Sequence, residues 1–306
     1  MPRSSPVASA DATATSGDGS RRGTAIAIVV ALLSWASAFV IIRAVAPHYD
    51  PGSLTLGRLG VAAIALLVVQ ALRGRWVAPT AREWGLLAVF GVGWFLVYNL
   101  ALNAAEHELD PGTAAMLVNV APLIVALVAG AVLGEGFPRW LIVGAIVAFA
   151  GIALLGVATS TGALSLVGVL LALAAALTYA VGVLVQKPLL RRLPGLQVTL
   201  IGVVIGAVGS LPWAPGLVAQ VGVAPLAATL GVVYLGLVPT AIAFLAWAYA
   251  LARLPAGRLS ILTNLVPVIA TLAAWPLLGE VPPPLALLGG LIVLAGVTLT
   301  RLPLRR

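Results

Sequence analysis

From Thr24 to Thr300 the chain is a succession of apolar runs, each about twenty residues long, with charges and Pro/Gly punctuation gathered in the short intervals between them. A run of that length, wound at about 1.5 Å per residue, crosses the roughly 30 Å of hydrocarbon in a bilayer. Inside hydrocarbon the backbone must satisfy its own hydrogen bonds, and for separate runs of this length the helix does so. Charged residues make up 8% of the 306 positions, against about 25% in a soluble domain. So few charges cannot clothe a water-facing surface. The fold class implied is an all-α polytopic membrane protein.

Ten such runs can be marked off, near Thr24–Val45, Gly52–Leu72, Trp84–Ala105, Gly112–Leu133, Pro138–Val157, Leu164–Gln186, Leu196–Trp213, Pro225–Leu251, Gly257–Leu278 and Pro283–Thr300. Starting with the N-terminus inside, alternation puts all but Arg43 and Arg58 of the 17 basic residues on the cytoplasmic side. That asymmetry is what the positive-inside rule asks for, and a missed or extra span would destroy it. Both termini are therefore expected in the cytoplasm. The net charge of +8 follows membrane topology, and no nucleic-acid partner is expected, since no soluble face exists to carry a basic patch. Residues 1–23, rich in Ser, Ala, Thr and Gly, read as a disordered tail. They lack the apolar core of a secretory signal. Residues 302–306 form a basic cytoplasmic tail. The chain has no Cys, hence no disulfide or thiolate chemistry.

The chain also matches itself. At an offset of 145, Asn119, Pro122, Leu133-Gly134-Glu135, Gly144 and Gly151 fall on Asn264, Pro267, Leu278-Gly279-Glu280, Gly289 and Gly296. At an offset of 144, Trp35 and Arg43 fall on Tyr179 and Lys187. Each copy holds five runs, an odd number, so the second copy must enter the membrane from the other side. The expected architecture is ten transmembrane helices in two inverted five-helix repeats, residues 24–157 and 158–301, with any binding site near mid-bilayer between them.

The blocks Asn119-Val-Ala-Pro122…Leu133-Gly134-Glu135…Gly144…Gly151 and Asn264-Leu-Val-Pro267…Leu278-Gly279-Glu280…Gly289…Gly296, with Trp35, Arg58 and Arg253–Gly257, resemble the EamA-type branch of the drug/metabolite transporter superfamily. The resemblance covers everything after about residue 23. It implies a basket-shaped ten-helix carrier of the bacterial inner membrane, many of whose relatives export metabolites or amino acids. It does not specify a substrate.

Polar groups within the runs are few, and in hydrocarbon each needs a reason. Arg58 lies about two turns into the second run; it either faces a substrate, snorkels to the outer interface, or ties helices through backbone carbonyls. Asn99 and Asn103, four apart with Phe95 one turn earlier, share one helix face and serve either a wet cavity or helix-to-helix hydrogen bonds. Asn119 and Asn264 each precede a proline, Pro122 or Pro267, that removes a helical hydrogen bond and makes a hinge. The hinge could expose a carbonyl to a ligand or be repaired locally. Trp35 and Tyr179 occupy matching mid-run positions, and Tyr98 is also well inside its run. The expected substrate-binding set is Trp35, Arg58, Tyr98, Asn99, Asn119, Tyr179 and Asn264, with Pro122 and Pro267 as hinges.

The inventory also excludes. No Asp or Glu falls mid-run, which disfavours proton-coupled export of lipophilic cations and favours a neutral, zwitterionic or anionic solute. The only histidines, His48 and His107, lie in loops; no nucleophile–base pair, no Asp-rich cluster for a diphosphate–magnesium site and no phosphate loop occurs, and the small acidic stretch Glu106, Glu108 and Asp110 reads as a solvated turn. No catalytic residue, metal site or cofactor is expected. The function expected is alternating-access transport of a small metabolite, in the direction of export; a channel or a lipid-modifying enzyme are the alternatives.

Overall fold

The computed structural model describes residues 11–73, 75–109, 117–159, 165–278 and 283–300. Among them every regular element is helical. In order these are α1 (Asp11–Val45), α2 (Pro51–Arg73), α3 (Ala81–Phe90), a π-helix (Gly91–Val97), α4 (Tyr98–Glu108), α5 (Ala121–Val132), α6 (Arg139–Thr159) and α7 (Leu166–Leu189). Then come α8 (Gly195–Gly209), α9 (Ala214–Val223), α10 (Leu226–Leu235), a second π-helix (Gly236–Ile242), α11 (Ala243–Arg253), α12 (Ala256–Leu262), α13 (Leu265–Leu278) and α14 (Pro284–Leu299).

Seven helices among the described residues are long and apolar enough to cross a membrane: Arg21–Val45, Pro51–Arg73, Ala81–Ala105, Arg139–Ala158, Leu166–Leu189, Leu226–Arg253 and Ala256–Ala273. They coincide with the first, second, third, fifth, sixth, eighth and ninth expected runs. The seventh run is bent by 50° between Gly209 and Leu211. There Ser210, Pro212 and Pro215 interrupt the backbone ladder, and a single 3₁₀ turn, Leu211–Trp213, makes the corner. The fourth and tenth runs are represented by the shorter apolar helices α5 and α14; Gly112 and the rest of residues 110–116 lie outside the described residues. Large apolar side chains such as Ile64, Leu72, Leu170, Val218 and Leu291 are exposed, an apolar exterior that only lipid accommodates.

One expectation changes. The stretch read as a disordered tail up to residue 23 is helical from Asp11 onward; residues 1–10 lie outside the described residues. Extending an existing helix adds one hydrogen bond per residue fixed, whereas starting one fixes several residues for the first bond. A membrane-anchored α1 therefore draws the Ala- and Thr-containing residues before it into its own ladder.

The two halves of the chain pack element against element. α1 lies on α10–α11, and α3–α4 lie on α7; α2 lies on α8, α5 on α12 and α6 on α14. The bounds of α3, the first π-helix and α4 recur 145 positions later in α10, the second π-helix and α11 at every junction, Ala81 with Leu226 and Glu108 with Arg253 included. Contacts recur with exchanged roles. Gly91 presses on the Gly202 carbonyl and Ile205, while Gly236 presses on the Arg58 carbonyl and Val61. Along the α6–α14 seam Gly144 faces Gly296 and Gly151 faces Gly289. A Cβ on Gly151 would come within 2.7 Å of the Gly289 carbonyl, so both positions need glycine for the backbones to meet.

Candidate functional site

Four residues one helical face apart on α1, Trp35, Ala38, Phe39 and Ile42, form one wall of a cavity inside the bundle. Trp94, Tyr98 and Leu102, spaced by one turn, form the facing wall, and Tyr179, Phe244, Thr263 and Val266 complete it with Arg58. The broken ends of two helices contribute Val118, Asn119, Ala121 and Pro122 on one side and Pro267 on the other. The volume is about 110 Å³, several times the 10–15 Å³ or so that one water needs on the same measure. Gly23 meets Tyr249 and Gly231 meets Val45, so α10–α11 runs antiparallel to α1. The cavity extends from mid-helix toward the C-terminal end of α1.

Aromatic edges build its body. Trp94 meets Tyr179 with ring centroids 5.0 Å apart and Phe244 at 5.1 Å, and Phe244 in turn meets Phe95 at 4.6 Å. Trp35 stands against Phe244 at 5.5 Å and Trp247 at 5.2 Å, and its indole N–H donates to the Pro239 carbonyl at 3.1 Å. T-shaped arrangements of this kind place positive ring edges on negative faces.

The π-helices explain the buried polar groups. A π-turn displaces carbonyls from the α ladder, and side chains answer them. Asn99 donates its amide to the Trp94 and Phe95 carbonyls, at 3.3 and 2.8 Å. Thr240 donates its hydroxyl to the Leu235 carbonyl at 2.8 Å, which leaves the oxygen to accept from Arg58 Nε and Nη2 at 3.2 and 3.1 Å. Arg58 is 8% exposed. Its guanidinium thus lines the cavity and also ties α2 to the second π-helix through the Thr240 hydroxyl. Asn103 joins α4 to α2 through the Thr55 hydroxyl and the Pro51 carbonyl.

Of the expected binding set, Trp35, Arg58, Tyr98, Asn119 and Tyr179 come together in the lining, as do Pro122 and Pro267. Asn99 and Asn264 do not. Asn99 is turned to its own helix by the freed carbonyls, and Asn264 is buried at 1% exposure behind Thr263. Near the hinges, the carbonyl of Thr263 accepts from the Val266 amide at 2.9 Å, so that break is repaired locally. Helix α5 restarts with Pro122 in its first turn, where a missing N–H costs nothing. Thr240 escaped the sequence reading. The signal available for Thr240 was a hydroxyl directly after Pro239 in an otherwise apolar run.

The other end of the bundle is fastened. Thr263 donates its hydroxyl to the Ser260 carbonyl and accepts from the Tyr179 hydroxyl at 3.3 Å, closing the cavity floor. Beyond it, Glu135 accepts from the Ala256 and Gly257 amides at 2.6 and 3.0 Å, and Lys187 donates to the Leu251 and Leu254 carbonyls. Both groups therefore hold the Leu254–Pro255 corner, one at the start of α12 and one at the end of α11, each with the charge that suits that helix end. On the same face Gln197 pairs twice with the Val77 backbone, and Arg192 pairs with Glu83.

At the α1 C-terminal face the matching tie is Asp50, whose carboxylate accepts from Gln220 Nε2 at 2.6 Å and from the Gly52 and Ser53 amides. Partial burial pushes the carboxyl up, but hydrogen bonds from Ser53, Gln220 and Gly52 outweigh it and leave the pKa below the usual 3.8.

Comparison with known proteins bears on what such a cavity is for. The EamA-like transporter family matches residues 22–157 and again residues 166–302. A probable terminal-alkyne amino-acid exporter of Streptantibioticus cattleyicolor is 39% identical over 273 residues, 89% of this chain and 91% of that one. An uncharacterized transporter of Bacillus subtilis, YdfC, is 31% identical over 274 residues, 89% of each chain. A solved crystal structure shares the fold with a TM-score of 0.75 and 20% identity, covering 91% of this chain and 96% of the other.

Proposed function

Because the chain belongs to the EamA-like transporter family, and so is a multi-pass membrane transporter of small metabolites and not an enzyme, we propose that it exports an amino acid with an apolar side chain by alternating access. The observation that carries this reading is a cavity at mid-bundle, lined by Ile42, Leu102 and Val118 toward one face and floored by the Tyr179–Thr263 pair and the Glu135 and Lys187 fastenings toward the other. A channel needs a path through the floor; a carrier needs one side shut at a time. The lining is aromatic and aliphatic with Arg58 as its charge, which suits an apolar side chain bearing a carboxylate. A relative named as a probable exporter of terminal-alkyne amino acids supports the same class.

The machinery proposed is ten spans in two inverted repeats, residues 24–157 and 158–301, rocking about the cavity, with Trp35, Arg58, Tyr98, Asn119 and Tyr179 on the solute. The support is reciprocity. Where residue i touches j, the equivalent of j touches the equivalent of i, the mark of a two-fold relation between like units, and inverted repeats place their sites at such an axis. The proposed location is the inner membrane with both termini in the cytoplasm, which makes the Glu135–Lys187 face cytoplasmic.

The test is counterflow in proteoliposomes of the full chain, loaded in turn with leucine, propargylglycine, lysine and glutamate. Exchange of leucine or propargylglycine, lost in Trp35→Ala and Arg58→Ala variants that still insert, is the expected result. Exchange of none of the four, or sustained single-channel current in a planar bilayer, would overturn the reading.

A further inference from the structure

At the fastened end Gln186, Trp247 and Asn264, and with them Ser260, carry buried polar atoms with no hydrogen-bond partner among the described residues: both amide atoms of Gln186, the indole N–H of Trp247 and both amide atoms of Asn264, besides the Ser260 hydroxyl. The first three are 0%, 2% and 1% exposed. Leaving such groups dry and unpaired costs their full desolvation, a cost that a second state in which they are met would relieve. Their places in the fold say which. Gln186 shares a face of α7 with Tyr179 and Val183, one turn beyond Gly182, whose backbone packs on Trp94, and it stands next to Lys187. Trp247 lies one turn beyond cavity-lining Phe244, against Trp35. Asn264 follows Thr263 at the helix break.

At the self-match offsets these three fall on Ile42, Leu102 and Asn119, and all three of those line the cavity on its extended side. The positions that form one mouth are thus the positions held dry behind the other. We infer that Gln186, Trp247 and Asn264 form a second subsite, shut in this state, that opens when the Glu135 and Lys187 fastenings part and takes the polar head of a zwitterionic amino acid from that face. Two amides and an indole N–H supply donors for a carboxylate and acceptors for an ammonium without adding net charge. The opposite mouth offers Ile42 and Leu102 at the equivalent places. The head group is therefore gripped on the Glu135–Lys187 side and passes apolar side chains on the other, which gives the two faces different affinities in a carrier that is otherwise built of like halves. This deepens the proposed function and rests on it.

The chain has no Cys, so a single introduced thiol reports cleanly. In Gln186→Cys, reconstituted at full length, an impermeant maleimide added at the Glu135–Lys187 face is expected to label the thiol while the same reagent at the opposite face does not. No labelling from either face, or labelling only from the opposite one, overturns the inference. Labelling needs no substrate, so it stands apart from the transport result. In the second arm Trp247→Phe, which keeps the ring contact and deletes the N–H, should raise the half-saturation concentration for propargylglycine about fivefold from that face and leave it unchanged from the other. An unchanged value, or an equal rise from both faces, overturns it. Failure of the unmutated protein to move any amino acid would instead sink the proposed function.

Discussion

Thr240 shows how much a single hydroxyl can settle. Its hydrogen goes to the Leu235 carbonyl and its oxygen takes two N–H groups of Arg58, so a buried cation and a freed carbonyl are both satisfied through one side chain. Replacing it by valine keeps the shape and removes these three hydrogen bonds. A hydrogen bond to a charged group is worth about 1.5–3 kcal/mol. Thr240→Val should therefore lower the melting temperature in detergent markedly, and Thr240→Ser should restore it. A valine variant that melts no lower than the serine variant would mean that the hydroxyl is not what holds this site.

Asp50 gives a pH prediction at the same scale. Its folded pKa lies below 3.8, so the tie to Gln220 contributes stability above that value and loses it as pH falls through the folded pKa. Proteolytic nicking of the residue 46–50 corner should rise below about pH 4 in the unmutated chain. Asp50→Asn, which has no carboxylate to protonate, should show no such step.

At the scale of elements, the two π-helices and the α6–α14 seam do most to shape the bundle. Gly151 approaches Gly289 so closely that any side chain forces the helices apart. Gly151→Leu should cost on the order of 1–3 kcal/mol or more, the usual cost of overpacking, and reduce the amount of folded protein recovered from membranes. A Cβ added at Gly85 would meet nothing within 4 Å, so that position should accept alanine without loss. The helices themselves were legible from the apolar runs, because length and lack of charge leave a membrane-crossing segment few alternatives. The π-turns were not. A π-turn adds no apolar or polar signal of its own, and Gly91, Gly93 and Pro239 could equally have marked ordinary kinks. The bend before α9 was hidden likewise, since Pro212 and Pro215 read as the end of a run.

For the molecule as a whole, the self-match paired positions along the chain, while only the fold shows which helices touch. Trp35 and Tyr179, paired in that way, both line the cavity. Asn99 was misplaced because its nearest unmet carbonyls, at Trp94 and Phe95, belong to a π-turn that sequence periodicity cannot reveal. Glu135 was legible as part of the repeated Leu133-Gly134-Glu135 block but not as a group that reaches 121 positions along the chain to Ala256.

The Arg58–Thr240 bond also reaches far, spanning 182 positions, and this bears on how the protein is made. An arginine within a nascent transmembrane segment disfavours lateral release into lipid, by about 2.5–3.5 kcal/mol at the helix centre. Thr240 has not yet been translated when α2 leaves the ribosome. The first half should therefore be held less securely in the membrane until residue 240 arrives. A nascent chain stalled after Gln220 should be degraded quickly, and Arg58→Leu in that stalled chain should lengthen its lifetime in a pulse–chase measurement.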